Sequence, residues 1–460
     1  MPARQRSLLV KNIKVLATFN QEHGDIEDAA IYVEGPEIKW VGKSSSLPGH
    51  YQSADQVLDL SHCVAIPGLV NSHHHMFQTL TRCMAQDQKL FGWLKSCYPG
   101  WQHMTAQDYT AACRMAMAEL ILTGCTTSVD HHYFFPNDVR MDQGIQAARD
   151  LGLRFHAARG AMSKGQSKGG IPPDHVVETE ADILADMERL IKEYHDNSRY
   201  SMTRLACGPV AQKGADDECF VKCAHLARQH EGVRLHTHLA ENQEDVDYTM
   251  KNYGHRFTEY IRKIEWDRED CWFAHCCKLN HEEYTDLSAR GIGVAHCPSS
   301  NMRLASGICP VRSMLDAGVN VGLGIDGSAS NDSGHMMAEA RLACFLQRAG
   351  GDPNGMSARE ALRLGIQGGA KNLGRTDVGA IAPGMAADFV AWRTDTFGFA
   401  GAQHDLVAAL IWCTPSIGTV HASIINGQVV VEDGKLQTGD LGQIVKDLNA
   451  ASARILKHFP

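Results

Sequence analysis

The chain has 460 residues, 44% of them hydrophobic and 21% charged, with a formal net charge of −9 at pH 7. That size suits one large domain with a smaller unit, and the composition is that of a globular protein with an ample core. The acidic balance excludes a duplex nucleic-acid surface, and no apolar run reaches the length of a membrane span.

The 15 cysteines include no C-x-x-C pair. In a chain this large they read as reduced thiols, so a cytoplasmic protein is expected. Arg4, Arg6, Lys11 and Lys14 precede the first acid, Glu22, in the manner of a transit peptide. Leu8 to Thr18, however, alternates like a strand and has no signal-peptide core, so it is read as structure. From there to about Leu60, short apolar runs such as Ala30-Ile31-Tyr32-Val33 are separated by Gly, Pro and Asp turns. The same texture returns at Asp388–Trp392 and Ala422–Val431, the latter with an Asn-Gly turn. Two β segments flanking a long middle predict one discontinuous small domain.

The middle alternates apolar strands with helical patterns, which implies βα units and a parallel sheet. Predicted strands end near His75, Asp130, Arg159, Cys207, His238, His275, His296 and Asp326, with helices over Ala111–Leu122, Glu178–Tyr194, Asp217–His230 and Gln243–Ile264. Eight such units predict a (β/α)8 TIM barrel over residues 67–376, flanked by a β-sandwich domain from residues 1–66 and 377–460 with a C-terminal helix. A doubly wound open sheet is the alternative, weakened by the lack of a Gly-x-Gly-x-x-Gly fingerprint. The punctuated stretch Ser163–Pro173 is either a lid or a solvated loop.

Chemistry concentrates at the predicted strand ends. In Asn71-Ser72-His73-His74-His75, alternate side chains of an extended segment point the same way, so His73 and His75 can share one metal while His74 faces elsewhere. The fifth barrel strand carries His236 and His238, of which only one need be a ligand, with Glu241 just beyond. The sixth ends at His275 and the eighth at Asp326, a carboxylate costly to bury without a cation or donor beside it. Three imidazoles and a carboxylate that leave room for water make a catalytic zinc-like set.

Pro67-Gly68-Leu69-Val70-Asn71-Ser72-His73-His74-His75, His238-Leu239-Ala240-Glu241, Ala274-His275-Cys276, His296-Cys297-Pro298-Ser299-Ser300-Asn301 and Gly324-Ile325-Asp326-Gly327 together resemble the successive signatures of the amidohydrolase superfamily, in its aminohydrolase branch. The likeness runs to the late Gly379–Asp388 stretch. It implies His73, His75, His238 and Asp326 as metal ligands, with Glu241, His275 and Asp326 catalytic. His75–Arg82, Leu90–Leu94, Met302–Gly307 and Gly324–Asp332 are most similar to members that deaminate 8-oxopurines. The fourth strand, Met202–Cys207, lacks the lysine that dinuclear relatives carry there, so one divalent metal is expected: zinc, with iron or manganese as alternatives.

Gln78 offers a donor and an acceptor to a lactam edge, and Trp93 suits stacking on a flat ring or core packing. Arg159, Cys207 and Asn331 are the other expected substrate contacts, although an ion pair within the barrel would equally explain Arg159. After the fourth strand, the stretch Ala206–Gly214 departs from the Pro-Phe-Ser-like run of the deaminases it resembles. The expected reaction is hydrolytic deamination of a purine-like base, 8-oxoguanine to urate and ammonia first, then guanine or isocytosine. Rival readings are a triazine or pterin aminohydrolase, a metal-dependent amide hydrolase, and a non-catalytic barrel that binds a ligand. A homo-oligomer is expected from the resemblance.

Overall fold

The structure is a computed structural model that describes residues 6–459; Arg4 lies outside that range. Among the described residues, seventeen strands run in chain order: β1 (Ser7–Ala17), β2 (Asp25–Glu34), β3 (Glu37–Lys43), β4 (Gln56–Asp59), β5 (Cys63–Pro67), β6 (Leu69–Asn71), β7 (Cys125–His132), β8 (Arg154–Ala161), β9 (Thr203–Pro209), β10 (Arg234–Leu239), β11 (Cys271–His275), β12 (Gly293–His296), β13 (Asn320–Leu323), β14 (Phe389–Arg393), β15 (Ala422–Ile425), β16 (Gln428–Glu432) and β17 (Lys435–Leu436). They sort into two sheets.

Strands β6 to β13 form an eight-stranded sheet, all parallel and in sequence order. It closes on itself where the Ser72 N–H donates to the Leu323 carbonyl at 2.9 Å and the Ile325 N–H to that of His73 at 3.1 Å. The result is the predicted barrel, and the doubly wound alternative is excluded by that strand order. Val70, Val129, Ala158, Ala206 and Ala295 fill its interior around one large ring, Trp272. Small residues from most strands leave room for that ring, the layered filling expected of such a barrel.

The remaining nine strands make a mixed sheet from both ends of the chain. Asn12 at φ 61° breaks β1 with a register shift between Val10 and Ile13. Before the break β1 pairs with β4, and after it with β5. Glu37 also bridges Ala386 just ahead of β14, so one continuous sheet curls back around its own apolar core of Ile13, Ile31, Ile38, Phe389 and Ile424. Arg154 at the start of β8 ties the barrel to this sheet through a two-pronged pair with Asp388, at 2.8 and 2.9 Å.

The helix predicted over Gln243–Ile264 is two helices, Gln243–Tyr253 and Phe257–Lys263. Gly254 ends the first at φ 76°, a left-handed cap that a residue without Cβ adopts at no steric cost. The helix Ala106–Leu122 starts earlier than its apolar pattern suggests because Thr105 and Asp108 form a capping box. The C-terminal helix Leu441–Leu456 buries Ile444, Leu448, Ala451 and Ile455, a single stripe, and packs against Ala106–Leu122. Among the described residues, no helix is long and apolar enough to cross a membrane.

Candidate active site

Barrel closure brings the chain after β6 against the chain after β13. His73 Nε2 thereby stands 3.3 Å, and His75 Nε2 3.2 Å, from Asp326 Oδ1. His238, on β10, completes the group, its Nε2 3.0 Å from that of His75. His74 does not join: its Nδ1 accepts the backbone N–H of His75. The alternation read from the sequence is therefore present in three dimensions.

Hydrogen bonds fix the tautomers. His75 Nδ1 faces the His131 carbonyl at 2.7 Å, and His238 Nδ1 faces that of Val210 at 2.6 Å. A carbonyl only accepts, so both rings carry hydrogen on Nδ1 and leave Nε2 bare. His236 donates from Nδ1 to the Trp272 carbonyl at 2.9 Å, so its Nε2 accepts from His73 Nδ1 at 2.7 Å. His73 Nε2 is then bare as well, and it is buried without a hydrogen-bond partner. Three imidazole lone pairs and a carboxylate oxygen thus face one another with no proton among them. Such a donor set repels itself unless a cation lies between its members, and its nitrogen and oxygen atoms suit a borderline divalent ion. Ligand atoms of His73, His238, His275 and Asp326 lie within 4.8 Å of one another, as do those of His73, His75, His131 and His238.

Around this core the polar groups are individually anchored. The Gly327 N–H donates to Asp326 Oδ1 at 2.8 Å, and the Ser300 and Ser330 hydroxyls donate to its Oδ2. His275 donates from Nδ1 to Asn301 Oδ1 at 2.9 Å, leaving Nε2 3.8 Å from Glu241 and 3.9 Å from Asp326. Burial pulls the His275 pKa down, but the carboxylates of Glu241 and Asp326 outweigh it and the net shift is upward. Burial pushes Glu241 up to about 7, against the opposing pull of His275. His275 and Asp326 sit at φ 70° and 65°. Left-handed backbone at two non-glycine residues, one closing β11 and one just past β13, is strained, and strain of that kind collects at functional sites.

These groups form the floor of a pocket at the C-terminal end of the barrel, with Leu90, Phe91, Trp93, Tyr98, Ile171 and Leu304 on its walls. Gln78 and Trp93 line it as expected. Gln78 donates to the Tyr133 hydroxyl at 3.2 Å, and its buried Oε1 has no partner. A Cβ on Gly327 would fall 1.7 Å from that oxygen, so glycine is what lets Gln78 lie there. Trp93 donates from its indole to the Ala329 carbonyl at 3.0 Å, which fixes the ring at the wall.

Three expected substrate contacts are corrected. Arg159 turns away from the pocket to pair with Glu178 at 2.7 Å and Asp186 at 3.0 Å, its guanidinium over Phe135. A buried guanidinium needs carboxylates, and the adjoining loop and helix supply them. Cys207 is enclosed in the packing between barrel and helices, because β9 runs two residues further before its loop begins. Asn331 donates to the Ile325 carbonyl at 2.8 Å and to Glu339 at 2.9 Å, bracing the loop behind Asp326. The Ser163–Pro173 stretch is wall material: Ile171 and Pro172 line the pocket, and the backbones of Lys164 and Ile171 bond to Gly214 and Lys213.

His131 and Lys213 are the neighbours for which the sequence suggested no role, and His236 is the fifth-strand histidine that pairs with His73 and stays out of the donor set. His236 and His131 carried a signal, alternation along β10 and the Asp130-His131-His132 run closing β7. Lys213 had none beyond its place in the divergent loop.

The model of the amidohydrolase family matches residues 64–430. The chain is 38% identical over 445 residues to the 8-oxoguanine deaminase of Pseudomonas aeruginosa, covering 96% of this chain and 98% of that one. It is 34% identical to the hydroxydechloroatrazine ethylaminohydrolase of Pseudomonas sp. strain ADP, over 88% of this chain and 85% of that one. The zinc-complexed crystal structure of atrazine chlorohydrolase from Arthrobacter aurescens TC1 superimposes with a TM-score of 0.90 at 34% identity, covering 97% of this chain and 100% of that one. Closed barrel, convergent imidazoles and a match along most of the sequence lead to one assignment: the chain belongs to the amidohydrolase family.

Proposed function

We propose that this amidohydrolase is a metal-dependent aminohydrolase that deaminates a flat, purine-like base, with 8-oxoguanine as the first candidate and guanine and isocytosine next. The observation that carries the reading is the meeting of a three-imidazole and carboxylate donor set with Glu241 and His275 at the floor of a pocket walled by aromatic and aliphatic side chains. The 38% identity to an 8-oxoguanine deaminase supports the substrate class.

His73, His75, His238 and Asp326 would hold one divalent cation, zinc in the first instance. Bound there, the ion supplies Lewis acidity, bringing the pKa of a coordinated water toward neutrality. Asp326 accepts a proton from the attacking water through Oδ2, the oxygen nearer His275. His275, fixed by Asn301, hydrogen-bonds the attacking oxygen and offsets charge as it develops on it. Glu241, kept protonated near neutral pH by burial, delivers its proton to the ring nitrogen beside the attacked carbon. The carbon becomes tetrahedral, the amine takes the proton held by Asp326 and leaves as ammonia, and Glu241 recovers a proton from the new hydroxyl. Gln78 and Trp93 orient the base, one by its amide and the other by its ring face.

The aliphatic wall residues Leu90, Leu94, Ile171 and Leu304 also favour a second reading, a triazine or pterin whose leaving amine carries an alkyl group. Ammonia and alkylamine release by zinc-loaded protein, measured against 8-oxoguanine, guanine, isocytosine, a pterin and hydroxyatrazine, separates the two. Ammonia and urate from 8-oxoguanine are expected. Metal at full occupancy with no amine released from any of these compounds would overturn both readings.

A further inference from the structure

Lys213 is the one lysine or arginine on the pocket wall among the described residues. It is 9% exposed and sits in the loop after β9. Its ammonium lies over the Phe91 ring, 4.1 Å from the centroid, and donates to the Glu244 carbonyl at 2.8 Å. The nearest carboxylate oxygen, Asp245 Oδ1, is 3.4 Å away. The other oxygen of Asp245 already accepts the backbone N–H groups of Glu241 and Asn242, at 3.0 and 3.3 Å. The cation is therefore enclosed between an aromatic face and a carboxylate it shares with the start of a helix. Burial outweighs the neighbouring carboxylates and lowers its pKa. A buried ammonium with a donor to spare, lining the pocket beside Asp245 and among Leu90, Phe91 and Ile171, is built to receive an acceptor from the ligand.

We infer that Lys213 is the specificity-determining residue of this pocket, binding a carbonyl or ionised lactam on the ring edge remote from the attacked amine and so selecting oxopurines over bases that lack that oxygen. The inference rests on the base-deaminase reading and names what that site prefers. Asp245 links the two ends of the pocket: it pairs with Lys213 and holds the backbone of Glu241, so an acceptor drawn to Lys213 meets the proton donor in a fixed register.

The test compares zinc-loaded wild type, Lys213→Met and Lys213→Arg on 8-oxoguanine and on guanine, which lacks the second carbonyl. Losing a charge-assisted hydrogen bond should raise KM for 8-oxoguanine about 10-fold or more in Lys213→Met, with kcat within about 2-fold. KM for guanine should move by less than about 2-fold, and Lys213→Arg should recover most of the preference. Equal loss on both bases, or no loss on either, overturns the assignment. Calorimetric binding of urate needs no turnover and should weaken about 10-fold in Lys213→Met. If the wild type releases no ammonia yet binds urate in a Lys213-dependent manner, the deaminase reading falls and the Lys213 assignment stands. Urate binding that Lys213→Met leaves unchanged, or urate that fails to bind the wild type, overturns the Lys213 assignment alone. Wild-type zinc content and thermal midpoint in the variants show that the fold is intact.

Discussion

His73 donates through Nδ1 to His236 Nε2 at 2.7 Å, and His236 in turn lies flat on Trp272 with ring centroids 4.3 Å apart. The backbone carbonyl of Trp272, 2.9 Å from His236 Nδ1, thus sets the tautomer of a proposed metal ligand through one intervening imidazole, while the indole holds that imidazole flat. His236→Phe keeps the stacking and removes the acceptor. Zinc affinity, measured by chelator competition, should fall about 10- to 100-fold while the circular dichroism spectrum stays that of the wild type. Unchanged affinity would show that His73 needs no partner to orient it.

The proposed ligands themselves should behave more severely. His73→Ala and Asp326→Ala are expected to lose both bound metal and activity, because each removes a donor that no neighbour replaces at the same point. Metal retained at one ion per chain in either variant would contradict the donor set.

Glu241 has to carry a proton to give one to the ring. With its carboxyl pushed up to about 7 by burial, the protonated fraction falls as pH rises through that value. The kcat/KM profile should therefore be flat on the acid side of this group and fall about tenfold per pH unit above it. Glu241→Gln should keep its metal, lose about 10²- to 10⁴-fold in kcat and lose that alkaline limb. Full activity in Glu241→Gln would remove it from the proton transfer.

Asp388 pairs with Arg154 where the curled sheet meets the barrel, both side chains fully buried. Arg154 also donates to the carbonyls of Tyr200 and Ser201, at 2.8 and 2.7 Å. Asp388→Asn leaves a guanidinium without its countercharge and should cost about 3–5 kcal/mol, read as a lower urea midpoint. Adding Arg154→Met should restore part of that loss. A double variant less stable than the single would mean that Arg154 acts through packing and its carbonyl bonds.

Acid should destabilise the protein from near neutrality downward. His74, His132, His156, His236 and His296 are buried and held below their ordinary value, His74 to about 4 and His296 to about 3. Each stays neutral in the folded state while the unfolded chain takes up a proton below about 6.5, so stability is lost as pH falls below that value. Asp130, Glu241 and Glu339, pushed up to about 7, work in the opposite direction. They are outnumbered by those five histidines, and further by His73, His75, His131 and His238, which are also lowered. Thermal midpoints should drop between pH 7 and pH 5, and a midpoint that rises over that interval would show that the carboxyls dominate.

Where the chemistry lies along the chain was legible in the order of residues alone. Apolar runs closed by His73, His75, His238, His275 and Asp326 are local patterns. A strand's period of two and its terminus decide which side chains leave the sheet at its open end, wherever the strand is later placed. The sequence also showed that a small sheet draws on both chain ends, because turn-punctuated apolar runs need no partner to be recognised.

Which groups face one another depended on how distant segments pack. The ring closes between residues some 250 positions apart, Ser72 with Leu323, and that closure sets Asp326 beside His73. Arg159 closes a strand as legibly as His275 does, yet Glu178 and Asp186 turn it outward, and no pattern at Arg159 reports their position. Asn331 and Cys207 failed as substrate contacts for the same reason: their partners come from Glu339 and the surrounding helices. Lys213 became part of the pocket because the loop after β9 folds over Phe91 and the start of the helix at Gln243. Periodicity fixes a side chain's direction relative to its own backbone; its chemical surroundings are supplied by distant segments whose approach depends on the packing of the whole barrel.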